Sequence, residues 1–171
     1  GIQKGKPFKP DARMQKILTE AAHVGTAAQR SIIWRNRDES VVMWPDSKSW
    51  EVGFAGGSYA FEHDGVSLIN DRVRFHFYAT GITPAMVKPP IGAGSSYVIG
   101  LRDSEGNDLD GSKTYRIHIP PKVPAKRFWD ITVYDNQTRS LLQTDNPYPG
   151  VTSIDKATVQ NADGSYDVYI G

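Results

Sequence analysis

The sequence predicts a mainly β protein, an antiparallel β-sandwich preceded by an α-helical and loop segment. Three features carry that prediction. From Ser95 onward apolar residues recur with period two, turn-forming residues punctuate the runs, and the only sustained helical periodicity lies near the N-terminus. The stretch from 113 to 134 is the centre of the pattern. Lys113-Thr114-Tyr115-Arg116-Ile117-His118-Ile119 alternates polar and apolar, Pro120-Pro121-Lys122-Val123-Pro124 forms a corner, and Arg127 to Tyr134 resumes with β-branched and aromatic residues. These runs read as two long strands folded back on each other. Neither buries an apolar face alone, so the rest of the chain must supply an opposing layer.

Taken in order, residues 1 to 10 interleave Lys4, Lys6 and Lys9 with Gly5, Pro7 and Pro10, so no helix begins before Asp11, a natural N-cap. Met14, Ile17, Leu18, Ala21, Ala22, Ala28 and Ile32 then recur at three- and four-residue steps, predicting one helix to about Ile33. Gly25 weakens its middle by up to about 1 kcal/mol without ending the stripe. Residues 34 to 66 hold Trp34, Trp44 and Trp50 among glycines and a proline and read as loop pinned by aromatics. From Ile69 to Thr80 the alternation of Val73, Phe75, Phe77 and Ala79 suggests a strand, while Asn70 or Asp71 in front and Gly81 behind suggest a short helix.

Beyond the linker at 83–90, strands are expected around Tyr97 to Leu101, in the two runs already described, at Ser140 to Thr144, at Ala157 to Gln160 and at Ser165 to Ile170. Six short strands with turns and no intervening helical pattern argue for the sandwich.

The totals exclude several function classes. Lys plus Arg is 20 against 19 Asp plus Glu, a net charge of +1 that gives no field to gather nucleic acid or anionic membrane. With no cysteine, disulfides, thiolate metal sites and cysteine nucleophiles are ruled out. No apolar run approaches the roughly 18 residues of a membrane span. No nucleophile elbow, phosphate loop, dinucleotide fingerprint or zinc-helix motif occurs, so no cofactor is expected.

The chain resembles a known family in Thr83-Pro84-Ala85-Met86, Asp103-x-x-Gly106-x-x-Leu109-Asp110-Gly111, Tyr115-Arg116-Ile117-His118-Ile119-Pro120, Phe128-Trp129, Tyr134-Asp135, Thr138-Arg139-Ser140 and Asn161-Ala162-Asp163-Gly164-Ser165. In order and spacing these are similar to bacterial proteins that pair a domain of unknown function 1254 with a C-terminal domain of unknown function 1214. The resemblance implies a jelly-roll sandwich over 92–171 lacking its last strands, with 1–91 as a helical and loop segment packing on it. It also implies a helix for 71–80, an exported, periplasmic or secreted location, and partners in an N-terminal domain and C-terminal strands of the same protein. It lends no activity. Where the family usually places serine after Phe-Trp, this chain has Asp130.

Candidate site residues follow from strand faces. His118 shares a face with Arg116 and Thr114, opposite Tyr115 and Ile117; that face is either solvated or the wall of a cleft where Arg116 and His118 hold an anionic or hydroxylated ligand, with His118 as general base. Asp130, Thr132 and Tyr134 share a face opposite Trp129, Ile131 and Val133, the natural core side, where truncating a fully buried Trp129 would cost about 3–5 kcal/mol. His118, Asp130 and Tyr134 are thus the acid–base candidates, and Arg116, His118 and Arg139 the ligand-binding ones; an Asp130, His118 and Arg139 grouping depends on register. Arg139 also suits a structural pair with Asp135 or Asp145.

The cluster from Asp103 to Gly111 offers oxygen ligands but departs from the EF-hand pattern at Asp108, and Gly106 and Gly111 instead sit where tight turns need positive φ. The four histidines show no metal spacing. Tryptophans of the 34–57 loop either stack on sugar rings or plug a small core. The expected function is therefore a small-molecule or glycan-binding module, with a hydrolase or lyase acting on a hydroxylated or carbonyl substrate, or a structural and homo-oligomerisation domain, as alternatives.

Overall fold

The computed structural model describes residues 3–79, 81–87 and 92–171, apart from the side chains of Ser47 and Lys48. The chain divides into two units, the first holding residues 1–89 and 95–99, the second 90–94 and 100–171.

The first unit opens with helix α1 (Ala12–Trp34), capped as its sequence requires: the Asp11 carboxylate accepts from the Met14 amide at 2.7 Å. Gly25 does not interrupt it. Only Ile33 of this helix is buried, and Met14, Ile17 and Leu18 remain exposed. Residues 34–66 are not plain loop. They form two 3-10 turns, the antiparallel strands β1 (Val42–Trp44) and β2 (Ser47–Glu51), and a two-residue hairpin of β3 (Glu62–His63) and β4 (Val66–Ser67). β5 (Ile99–Gly100), where the unit's second segment ends, follows β2 in sheet order.

The ambiguous stretch is helical, as the resemblance implied: α2 spans Ile69–Tyr78, with Asp71 in its first turn and His76 in its last, both favourable to the helix dipole. A one-turn helix α3 (Pro84–Val87) follows. Alternation misled at 73–79 because Phe75 and Arg74, adjacent in sequence, are both buried, which a strand facing one core does not allow. The core of this unit joins Ile33, Val41, Ala55, Phe61 and Phe75. Arg74 is fully buried beside them, its Nη2 donating to Glu51 Oε2 at 2.8 Å and both Nη atoms to the Val52 carbonyl at 3.0 Å. Trp34 meets Phe77 edge-on, Trp50 is half-buried and Trp44 is exposed; no tryptophan ladder forms among the described residues.

The second unit is built from two antiparallel strand pairs. β6 (Tyr115–Ile119) pairs with β9 (Tyr166–Ile170), and β7 (Asp130–Thr132) with β8 (Gly150–Thr152). The two runs of the 113–134 stretch therefore do not fold back on each other. Each takes a partner from later in the chain, because Ile117 and Ile119 find Val168 and Tyr166 directly opposite, and Ile131 finds Val151. Between them Lys122 turns the corner at φ 61°.

Antiparallel pairing is present as expected, but in separate two-stranded sheets. The runs expected at 140–144 and 157–160 form no strand; Leu141 makes a single bridge to Tyr134. Trp129 is half-buried, edge-on to Tyr166 at 5.0 Å, so the full truncation cost of a buried indole does not apply. Gly150 lies where a Cβ would sit 2.7 Å from the Ile131 carbonyl oxygen, and its lack of side chain lets β8 approach β7.

Candidate functional site

The open face of the β6–β9 pair gathers the unit's polar chemistry. β6 is half-buried and exposed in strict alternation, with Arg116 and His118 outward and Tyr115, Ile117 and Ile119 inward. Register sets Arg116 opposite Tyr169 and His118 opposite Asp167. His118 Nδ1 lies 2.9 Å from Asp167 Oδ1, and Asp167 Oδ2 accepts from Asn161 Nδ2 at 3.2 Å. The same Asn161 nitrogen donates to Ser165 Oγ at 3.0 Å, and Ser165 donates through Oγ and its amide to Asp163 Oδ1. Gly164, at φ 88°, makes the turn that brings Asn161 back onto the strand.

The hydrogen bond from His118 is the largest influence holding the Asp167 carboxyl below its ordinary range; Asn161 and the Arg116 charge add to it, against a desolvation contribution. Ionised Asp167 accepts from Nδ1–H, which fixes an imidazole whose side chain is half exposed. Tyr169 is 65% exposed beside this pair. Along β9 runs a cleft of about 320 Å³, lined on one side by Tyr166, Asp167 and Tyr169 and on the other by Val151, Asp155 and Thr158.

The other sequence candidates lie apart from this constellation. Asp130 is exposed and pairs its backbone with Thr152. Tyr134 is exposed at the bridge to Leu141. Arg139 belongs to a tight turn: its backbone amide donates to the Asp135 carbonyl at 2.9 Å, its φ is 64°, and the Asp135 carboxylate accepts from the Gln137 and Thr138 amides. No hydrogen bond or ion pair joins His118 to Asp130 among the described residues. His118 takes Asp167 instead, 49 residues away.

The Asp103 cluster is likewise a turn. Asp103 Oδ1 accepts from the Glu105 and Asn107 amides, Gly106 takes φ 83°, and Gly111 keeps an ordinary backbone. Among the described residues no group of three or more His, Asp or Glu side chains is placed to hold a metal.

Residues 94–171 match the family model described as a protein of unknown function (DUF1214). This is the 1214 part of the pair that the motifs resemble, and it contains both strand pairs and the His118–Asp167 contact. No curated protein matches the chain. In the described residues no helix is long and apolar enough to cross a membrane.

Asp167, Asn161 and Tyr169 escaped sequence reasoning as site residues. The available signal was the alternation of Ser165, Asp167 and Tyr169 along the last strand, which puts Asp167 and Tyr169 on one face once the pairing is known.

Acid should destabilise this unit. Asp103, Asp110, Asp135, Asp163 and Asp167 all have carboxyl pKa values below the ordinary range, and for the first four the leading cause is a hydrogen bond from Asn107, Ser112, Thr138 and Ser165 respectively. Folded values below unfolded ones contribute stability above the unfolded pKa that is lost as pH falls through the folded values. The urea midpoint of the second unit should hold from pH 7 to 5 and drop below about pH 4. In the first unit the two neighbouring carboxyls move apart: Asp71 is raised chiefly by burial, while at Asp38 burial is outweighed by hydrogen bonds from Ser40 and the carboxyl is lowered. A midpoint flat down to pH 2 would contradict these carboxylate contacts.

Proposed function

We propose that the second unit is a binding module that takes a small hydroxylated or anionic ligand, a sugar or sugar acid, on the β6–β9 face. The carrying observation is the clasped His118–Asp167–Asn161 chain set beside Arg116 and Tyr169. Sugar hydroxyls need donors and acceptors held in fixed planes, which the paired imidazole and carboxylate supply, a cationic donor in Arg116, and an aromatic ring against which a sugar's C–H face packs. The adjoining cleft lies in the size range of small-ligand sites.

Binding is favoured over catalysis by the openness of the face. His118 is 52% exposed at its side chain, and the cleft along β9 is lined by none of Arg116, His118, Asp130 and Tyr134, so nothing excludes water from an acid–base pair. The hydrolase or lyase reading keeps one point in its favour: a carboxylate orients an imidazole whose other nitrogen is free, the arrangement of a general base.

The jelly-roll reading draws support from one ring contact, that of Trp129, just before β7, with Tyr166 of β9. Pairing with a domain of unknown function 1254 and a periplasmic location belong to this reading through the motif resemblance alone.

A thermal-shift screen against neutral oligosaccharides and uronic acids, followed by calorimetry, tests the proposal. Binding is expected to weaken at least tenfold in Arg116→Ala, His118→Ala and Tyr169→Ala. Affinity unchanged in all three variants, or no binding across the screen, would defeat it. Product accumulating with the parent protein and not with His118→Ala would transfer the site to the enzyme reading.

A further inference from the structure

The first unit holds a groove of about 570 Å³, within the range of sites for small organic ligands. Gly25 and Gln29 of α1 line one side, and Val73, Phe75 and His76 of α2 the other, with Phe61, Ile69 and Ile82 completing an apolar wall. Two features give it a chemical preference. Arg72 and His76, one turn apart on α2, both line it, both are exposed, and neither forms an ion pair among the described residues. Gly25 sits inside a regular helix, where glycine costs about 1 kcal/mol relative to alanine. Its backbone is not left-handed, and nothing lies within 4 Å of the position a Cβ would take. Neither conformation nor crowding therefore calls for glycine at this point; what its missing side chain provides is open space along the groove.

We propose that this groove binds a dissolved amphiphile with an apolar body and an anionic head, of the class of medium-chain carboxylates. The body lies along Val73, Phe75, Phe61 and Ile82, and the carboxylate meets the Arg72 guanidinium, with His76 as second donor. The apolar positions Leu18 and Ala21 continue the face of α1 that contains Gly25, extending the track for a longer chain. This site is separate from the β6–β9 face and does not depend on it.

The test is calorimetry on the full chain with decanoate below its micelle concentration, against decanol and decyltrimethylammonium, with methyl resonances of Ile69, Val73 and Ile82 as the local readout. Decanoate should bind and shift those methyls, while the cation binds at least tenfold more weakly. Gly25→Leu should lower decanoate affinity at least tenfold while leaving the thermal midpoint unchanged or higher. Arg72→Gln combined with His76→Gln should weaken decanoate at least fivefold and leave decanol within twofold. No binding of decanoate, equal binding of the cation, or full binding by Gly25→Leu would overturn the proposal. So would sedimentation with anionic vesicles in place of binding to dissolved decanoate.

Discussion

Replacing Glu51 with leucine is expected to destabilise the first unit by about 3–5 kcal/mol, because it strands the Arg74 guanidinium in the core. Arg74 is fully buried and Glu51 nearly so, at 2.8 Å from one another. The Val52 carbonyl would still accept two hydrogen bonds, but a neutral oxygen does not replace a carboxylate opposite a desolvated charge. The guanidinium also lies 5.6 Å over the Tyr78 ring, and its Nε finds no acceptor among the described residues, so the site has little reserve. The double replacement Glu51→Leu with Arg74→Met removes both charges and should recover most of the loss, since an apolar pair of similar volume is often as stable as a buried ion pair. Urea unfolding of the two single variants and the double gives the coupling directly. A Glu51→Leu midpoint equal to the parent's would refute the claim that the guanidinium depends on its carboxylate.

Phe75→Ala should cost about 3–5 kcal/mol, a drop in thermal midpoint on the order of 15 °C for a unit of this size. Its ring lies 4.6 Å from that of Phe54 and 5.5 Å from that of Phe61, centroid to centroid. Phe61 is held at φ 54°, a left-handed backbone that disfavours a bulky side chain by roughly 1–3 kcal/mol. Burial of the Phe61 ring against Phe75 and the 2.7 Å bond from the Leu68 amide to the Phe61 carbonyl offset that strain. Truncating Phe75 removes the ring packing and leaves the strain, so the loss should exceed that of Phe54→Ala, whose ring is only half-buried. Equal losses for the two variants would show that Phe75 is not the centre of this cluster.

What could be read along the chain was whatever its neighbours decide. The Asp11 cap, the run of α1 through Gly25, the inward and outward alternation of β6 and the turn at Gly106 depend on contacts within a few residues, and each is present. α2 was balanced between two periodicities because its buried face holds Arg74 and Asp71 beside Phe75, and a buried charge leaves no apolar mark in a sequence. Strand partnership was beyond local reading altogether. β6 faced the adjacent run across a proline corner and took β9 about 50 residues on, since the opposing apolar pairs form only after the chain has returned. The site inherited that uncertainty: Arg116 and His118 were visible as one face, whereas Asp167, which orients the imidazole, was assigned by register alone, where a one-residue slip would have turned it to the other side.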